Sequence, residues 1–186
     1  MTERKQSATP KPLTQKRLTN LALYYLGRYE SSSGNLRRFL SRRVVRDRMK
    51  GAEIPADIEV WIESVVFKMC QDGYIDDGRF AASTAERARR AGKSERYIRE
   101  KLKQAGISPE IQESVLAPSG EENAGAELEA ARRFVRKKKI GPFRPEEERR
   151  VSRRKYLAAM ARAGFSYETA VRALEETEED EDMYNV

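Results

Sequence analysis

The sequence contains no histidine, only one cysteine and no long apolar run, and each absence narrows the range of functions. Without histidine the chain lacks the commonest general base, the usual partner of a nucleophilic serine or cysteine, and a common ligand of transition metals. Its single cysteine, Cys70, cannot form an internal disulfide or hold a zinc ion alone. Only carboxylate chemistry is left for an enzyme. We therefore expect a binding protein without catalytic residues, metal or cofactor.

The lack of apolar runs also bears on location. A membrane span requires about 18 consecutive apolar residues, and no segment of the sequence approaches this length. The first residues, MTERKQSATPKPLTQ, lack the apolar centre of a signal peptide. We expect a cytoplasmic protein without a membrane partner.

Cys70 follows Val65, Val66, Phe67 and Met69, and this apolar setting predicts a thiol buried in the core.

Charge is plentiful and unevenly distributed. Charged residues make up 36% of the chain against 39% hydrophobic ones, with a net charge of +7. This balance indicates much surface per residue and favours an elongated or repeat-built monomer. Basic residues concentrate in 1–50 and 132–162, and acidic residues in 109–131 and 163–186. The basic blocks suit a nucleic acid or an acidic protein, although solvated helix faces with a solubilising acidic tail explain the same pattern.

Apolar residues recur every three or four positions and nowhere alternate over a sustained stretch, so the sequence predicts an all-α protein. Its predicted helices are Gln15–Tyr29, Gly34–Lys50, Ala56–Gln71, Asp77–Arg90, Glu95–Gln104, Pro109–Leu116, Glu121–Lys138, Pro145–Ala163 and Tyr167–Glu176. The same periodicity predicts a core that includes Leu23, Leu26, Leu36, Leu40, Ile62, Met69, Phe80, Ile98, Leu102, Phe134, Leu157, Met160 and Leu174.

Three helix starts carry capping signals. Ser108 before Pro109 places an N-cap oxygen ahead of a proline at the first helical position. Ser119 with Glu122 fits a capping box. Pro145 is followed by three glutamates, which place negative charge at the positive end of a helix dipole.

Internal repetition is the most informative feature. YIREKLKQAGIS (97–108) aligns with KYLAAMARAGFS (155–166), and both end in an Ala-Gly-apolar-Ser stop. NLRRFLSRRVV (35–45) resembles both, with Leu36 and Leu40 in the apolar positions. Nine helices thus divide into three groups of three, which stack into an elongated, curved molecule. The predicted parts are an N-terminal tail (1–14), three-helix repeats at 15–72, 73–118 and 119–176, and an acidic C-terminal tail (177–186).

The stretch DGYIDDGRFA, from Asp72 to Ala81, resembles an active site more than any other. An EF-hand loop that begins at Asp72 requires an oxygen ligand at Tyr74, a glycine at Asp77 and a glutamate at Ser83. All three are missing. The stretch also lacks the GxxxxGK[ST] pattern of a phosphate loop.

We interpret the stretch as a joint between two helices. Gly73 is placed to close one helix in the left-handed conformation, and Asp76 or Asp77 is placed to cap the next. A surface used by a partner is the main alternative. The residues that we single out here are Gly73, Tyr74, Asp76, Asp77, Arg79 and Phe80.

GYIDDGRFA (73–81) also resembles the GYLDDxRFA signature of the RecX family of bacterial recombinase regulators. Upstream, ALYYLGRYESSSGNLRRFL (22–40) resembles the family's opening helix pair. Downstream, YIREKLKQAGIS resembles its second unit, while KKKIGPFRP (137–145) and YLAAMARAGFS resemble its third. These four pieces occur in the family's order, and the resemblance covers about residues 16–175.

The resemblance implies a nine-helix protein that lodges in the helical groove of the RecA filament on DNA. It also implies inhibition of the ATPase, strand-exchange and coprotease activities of RecA. Basic side chains that could contact RecA or DNA are Arg37, Arg38, Arg42, Arg43, Arg89, Arg90, Arg96, Arg99, Arg132, Arg133, Lys137, Lys138, Arg153 and Arg154. Tyrosines that could add aromatic contacts are Tyr24, Tyr25, Tyr29 and Tyr97.

Two other functions stay open at the level of sequence. A basic helical protein could bind single- or double-stranded DNA directly, with an affinity that falls steeply with salt. An enzyme would need a carboxylate pair drawn from distant helices, whereas the glutamates here fit caps, dipoles or the tail. For each cationic residue, a solvated helix face remains the simpler interpretation.

Overall fold

The computed structural model describes residues 12–116 and 121–175. All regular elements within these ranges are helical, which confirms the predicted all-α class. Their bounds are α1 (Gln15–Leu26), α2 (Ser33–Met49), α3 (Ile58–Gln71), α4 (Asp77–Arg90), α5 (Glu95–Gln104), α6 (Pro109–Leu116), α7 (Glu121–Lys138), α8 (Glu146–Ala163) and α9 (Tyr167–Glu175), with a 3₁₀ turn at Gly141–Phe143.

Helix ends follow the local chemistry of the sequence. The N–H of Ile111 donates to Ser108 Oγ at 3.4 Å, which confirms the cap ahead of Pro109. α8 begins after Pro145 with three glutamates in its first turn. The first helix was predicted to run to Tyr29, but it ends at Leu26 with Gly27 as its C-cap, because glycine is about 1 kcal/mol less favourable than alanine inside a helix. The Ser119–Glu122 capping box lies outside the described side chains.

The chain divides into two compact units, and the described residues of the first are 12–80 together with 105–107. In its described part, α1, α2 and α3 enclose an apolar core. Side chains that are almost completely buried there are Leu18, Leu36, Leu40, Ile62 and Met69. Each buried side chain of this size contributes about 1.5–3 kcal/mol. A buried carboxylate, Asp47, joins α2 to α1 through Arg17 at 3.0 Å.

The described residues of the second unit are 81–104, 108–116 and 121–175. One cluster of its core is formed by α7, α8 and α9 around Val135, Met160 and Phe165. Tyr156 is also buried there, and its hydroxyl donates to Glu148 at 3.0 Å. The three-repeat division, the two tails and the elongated, curved stack stay predictions.

Two predictions about the core of the first unit are wrong. Leu23 is 37% exposed, because the buried face of α1 is set by Leu18 and Ala22 and Leu23 lies about 100° around the helix from Ala22. Cys70 is also exposed. The buried stripe of α3 runs through Ile62, Val65, Val66 and Met69, so the neighbouring Phe67 and Cys70 face outward.

Candidate partner-binding surface

The DGYIDDGRFA stretch connects α3 to α4, and most of its side chains have structural roles. Gly73 has a φ of +75°, and the N–H groups of Tyr74 and Ile75 both donate to the carbonyl of Met69, at 3.0 and 3.2 Å. Ile75 is buried. This geometry closes α3 and turns the chain toward α4.

The two adjacent aspartates point to different partners. Asp76 Oδ1 accepts the N–H of Arg79 at 2.8 Å and thus caps α4. Asp77 instead reaches the start of α2, where its carboxylate accepts the N–H of Ser33 at 2.8 Å and the Ser33 hydroxyl at 2.6 Å. Both carboxylates therefore hold helix ends together.

The remaining residues of this stretch differ in exposure. Phe80 is half-buried, whereas the side chains of Tyr74 and Arg79 are exposed. Within residues 12–116 and 121–175, no three His, Cys, Asp or Glu side chains converge to hold a metal ion. In the same ranges no helix is long and apolar enough to cross a membrane.

A serine at the start of a helix makes a cross-helix contact that occurs once in each unit. In the first unit, Ser32 caps α2 by accepting the N–H of Asn35 and donates its own hydroxyl to the carbonyl of Ala105 at 2.6 Å. Gly34 lies directly against the backbone of Ala105 and Gly106. We name Ser32, Gly34, Asp77, Ala105 and Gly106 the first serine joint.

The second unit repeats the contact. Ser94 caps α5 by accepting the N–H of Tyr97 and donates its hydroxyl to the carbonyl of Ala163 at 2.7 Å. Arg96 donates to the carbonyls of Ala161 and Arg162 at 3.1 and 3.5 Å. We name Ser94, Arg96, Glu127, Ala163 and Gly164 the second serine joint.

A carboxylate completes each serine joint. Glu127 accepts the N–H of Glu95 at 2.9 Å, as Asp77 accepts that of Ser33 in the first joint. Burial raises the pKa of Glu127, and the nearby Glu95 carboxylate raises it further. The hydrogen bond from the Glu95 N–H and the charge of Arg89 act in the opposite direction. The second joint therefore contains a titratable group in a partly desolvated position.

Six of the fourteen candidate cations are paired with carboxylates. Arg37 makes a two-bond contact with Glu63, at 2.5 and 2.8 Å, which lowers the pKa of that carboxyl. Arg99 bonds both Glu113 and Glu95, and these bonds raise the pKa of the Arg99 guanidinium. The other paired cations and their partners are Arg43 with Asp47, Arg90 with Glu86, Arg132 with Glu129, and Arg153 with Glu175.

The other eight form no ion pair with a carboxylate among the described residues, although the charge of Arg89 acts on Glu127. Four of them bond to uncharged oxygens: Arg38 to Asn35 Oδ1, Arg89 to the carbonyl of Val115, Arg96 to those of Ala161 and Arg162, and Arg133 to that of Arg89. The remaining four are exposed at Arg42, Lys137, Lys138 and Arg154. We name these eight the unneutralised cations, since their charge is available to an anionic partner.

Comparison with known proteins agrees with this architecture. A family model described as the second three-helix domain of RecX matches residues 76–116. The regulatory protein RecX of Myxococcus xanthus is 36% identical over 168 residues, which cover 89% of this chain and 88% of that protein. The chain belongs to the RecX family. The regulatory protein RecX of Agrobacterium fabrum is 32% identical, over 88% of this chain and 85% of the relative.

Solved RecX structures share the fold. The crystal structure of RecX from Lactobacillus salivarius has a TM-score of 0.61 at 18% identity, and covers 91% of this chain and 97% of that one. A second crystal structure, of a regulatory protein RecX, has a TM-score of 0.63 at 21% identity and covers 87% of this chain. The two relatives at 36% and 32% identity confirm the family resemblance predicted from sequence, so the chain is a member of the RecX family of regulatory proteins.

Sequence reasoning did not predict the cross-helix contacts of Ser32 and Ser94, nor which cations form ion pairs. It identified the Ala-Gly-apolar-Ser stops but not the residues against which they pack. The available signal was a serine three positions before two of the aligned segments, Ser32 before the one at 35–45 and Ser94 before the one at 97–108. The division of the cations into paired and unneutralised sets had no local signal, because Arg37 and Glu63 are 26 residues apart.

Proposed function

We propose that this RecX family member binds the filament that RecA forms on DNA, lies in its helical groove, and inhibits its ATPase, strand-exchange and coprotease activities. The observation that carries the proposal is its 36% identity to a regulatory protein RecX across 89% of the chain. The protein acts in the cytoplasm as a monomer, by binding rather than by catalysis.

The unneutralised cations give this binding a physical basis. They come from α2, from α4 and α5, and from α7 and α8, so positive charge is available along most of the described chain. Such charge attracts the acidic surface and the phosphates of a nucleoprotein filament, which speeds docking and sets orientation. Tyr74 and Arg79 are further candidate contacts, because their side chains are exposed. Their neighbours Asp76 and Asp77 are instead engaged in holding helix ends together.

Multivalency explains how individually weak contacts inhibit a polymer. Once one contact with a filament forms, the others form at a high effective concentration. A chain that contacts neighbouring RecA subunits resists their relative movement or destabilises the filament end. Either effect lowers activities that depend on an intact, cycling filament.

The direct test is the DNA-dependent ATPase activity of RecA, measured while this protein is titrated in. We expect inhibition at fewer than one copy per RecA subunit, together with cosedimentation with the filament. Absence of both would refute the proposal. Equally tight binding to naked DNA at physiological salt would instead favour a direct DNA-binding protein.

A matched pair of variants tests which cations make the contact. The first variant neutralises four exposed, unneutralised cations: Arg42→Gln, Lys137→Gln, Lys138→Gln and Arg154→Gln. The second removes the same number of positive charges from ion pairs: Arg90→Gln, Arg99→Gln, Arg132→Gln and Arg153→Gln. We expect filament affinity to fall roughly tenfold or more in the first and clearly less in the second, because the paired charges are already compensated. Equal losses would show that net charge alone matters.

A further inference from the structure

The last described helix, α9, folds back along α8 and ends beside a row of arginines. α8 ends at Ala163, and α9 begins at Tyr167 after a short turn and packs against α8. The last residue of α9, Glu175, pairs with Arg153 in the middle of α8. The two helices are therefore antiparallel, and α9 points toward the first turns of α8.

Two further arginines lie one turn closer to the start of α8. Arg149 and Arg150 precede Arg153 by four and three residues, a spacing that makes side chains neighbours on a helix surface. Arg150 is exposed. The Nε of Arg149 is buried and has no hydrogen-bond partner in the part of the chain that the structure describes, which favours an acceptor from elsewhere. We name Arg149, Arg150 and Arg153 the arginine row.

The residues that follow Glu175 match the arginine row in charge and in reach. Residues 176–182 have the sequence ETEEDED, with six carboxylates and no cation, and they lie outside the described residues. We name them the acidic segment. An extended chain covers about 3.3 Å per residue, and one helical turn is about 5.4 Å long. A few residues beyond Glu175 are therefore enough to reach Arg149 and Arg150.

We propose that the acidic segment binds the arginine row, in continuation of the observed pair between Arg153 and Glu175. Exposed ion pairs are individually weak, but the attachment to Glu175 holds the following carboxylates at a high effective concentration. Three glutamates occupy the first turn of α8 and repel an acidic segment, so the contact ends at Arg149.

This contact regulates the surface that the partner uses. Arg154, one of the unneutralised cations, lies four residues after Arg150 and is its neighbour on α8. The acidic segment therefore competes with an external anionic partner for this side of α8. That consequence rests on the proposed binding of the RecA filament, whereas the contact itself requires no RecA.

The contact is tested in the full chain with a nitroxide spin label, which broadens the amide NMR signals of nearby residues. The label is attached through Met183→Cys, directly after the acidic segment, in a Cys70→Ser background. We expect broadening at residues 149–153 in about 0.05 M salt and much less in about 0.5 M salt, because salt screens exposed ion pairs.

Variants separate charge pairing from the proximity that Glu175 imposes. The neutralised variant carries Glu178→Gln, Glu179→Gln, Asp180→Asn, Glu181→Gln and Asp182→Asn, and it should lose the broadening although no described residue is changed. Arg150→Gln should reduce the broadening. Lys155→Gln is the control, since Lys155 is exposed and lies on the opposite side of α8 from Arg153. No broadening in the wild type, equal broadening in the neutralised variant, or broadening centred on α2 would overturn the proposal.

Cosedimentation with the RecA filament tests the consequence. The neutralised variant should bind roughly three- to tenfold more tightly than the wild type, because two or three exposed ion pairs no longer compete. A charge-matched control removes five exposed carboxylates elsewhere, with Glu53→Gln, Glu59→Gln, Glu100→Gln, Glu110→Gln and Glu168→Gln, and should gain clearly less. Equal gains would overturn the competition. Absence of filament binding by every variant would refute the proposed function, while the spin-label result would still decide the contact.

Discussion

The two serine joints make the same hydrogen bonds with different packing. Each has a capping serine that donates to an alanine carbonyl and a carboxylate that accepts the next backbone N–H. In the first joint, Gly34 meets the backbone of Ala105 and Gly106 with no side chain between them. In the second, Arg96 occupies the position of Gly34, and its side chain lies over Gly164. The hydrogen bonds are thus common to both joints, while the atoms that an added Cβ would meet differ: backbone atoms at Gly34 and side-chain atoms at Gly164.

The largest effect is expected from Gly34→Ala. A Cβ at this position would lie 2.5 Å from the Ala105 carbonyl oxygen and 2.8 Å from Gly106 Cα, and backbone atoms cannot move aside without distorting the joint. We expect a loss of about 3 kcal/mol in the free energy of unfolding, measured by urea denaturation. Gly164→Ala should cost a comparable amount, because its φ of +100° disfavours a side chain and a Cβ would lie 2.5 Å from Ser94 Oγ, which is held by its hydrogen bond to Ala163.

Gly125→Ala is the control for these glycine substitutions. Nothing lies within 4 Å of a Cβ built at Gly125, which is inside α7. Alanine should therefore stabilise the protein by up to about 1 kcal/mol. A Gly34→Ala protein as stable as the wild type would show that the first joint can open at little cost.

The next largest effect is expected at the serines. Ser32 and Ser94 are both completely buried, and replacement by alanine removes the cap and leaves an alanine carbonyl without its donor. We expect Ser32→Ala and Ser94→Ala to lose about 2 kcal/mol each. Ser166→Ala, at an exposed cap that bonds only within its own turn, should lose about half as much. A marked inequality between Ser32 and Ser94 would mean that packing, and not the shared hydrogen bonds, dominates.

The smallest effect concerns pH and belongs to the second joint. Because the folded-state pKa of Glu127 is raised, the folded protein holds this proton more tightly than the unfolded chain. The resulting stabilisation is complete below the unfolded pKa and is lost as pH rises through the folded pKa. Glu127→Gln keeps an acceptor oxygen but does not titrate.

We therefore expect the stability of the wild type, measured relative to Glu127→Gln, to decrease as pH is raised above the ordinary pKa of a glutamate, about 4.5. Urea midpoints at several pH values check this. Glu129→Gln, on the exposed side of the same helix, controls for the loss of one carboxylate. A constant difference between wild type and Glu127→Gln would contradict the assigned pKa direction.

Local patterns were sufficient to predict the helices and the repeats. α4 to α7 have the predicted bounds, since their ends are marked by Gly, Pro and capping residues whose effects act within one turn. The aligned repeats were also informative, because Leu36, Leu40, Ile98, Leu102 and Met160 are all completely buried. Gly106 and Gly164 in the repeated stops both adopt positive φ.

The partner of each side chain could not be predicted in the same way. Asp77 appeared to be a possible cap for its own helix, but it bonds Ser33, which is 44 residues away. Arg99 appeared free for a partner, although it pairs with Glu113. Tertiary packing determines which of many similar charged side chains lie close enough to bond. Which cations contact a partner therefore stays a prediction, and the matched pair of cation variants tests it.

The exposed Cys70 has a practical consequence. It is the only cysteine in the chain, so one maleimide dye or spin label would attach at a single defined position near the end of α3. Partial burial and the nearby Asp77 raise the pKa of the Cys70 thiol, and labelling should therefore be faster in mildly alkaline buffer. The native sequence thus supplies a reporter whose distance to labelled RecA or to a labelled oligonucleotide can be measured without engineering a new attachment site.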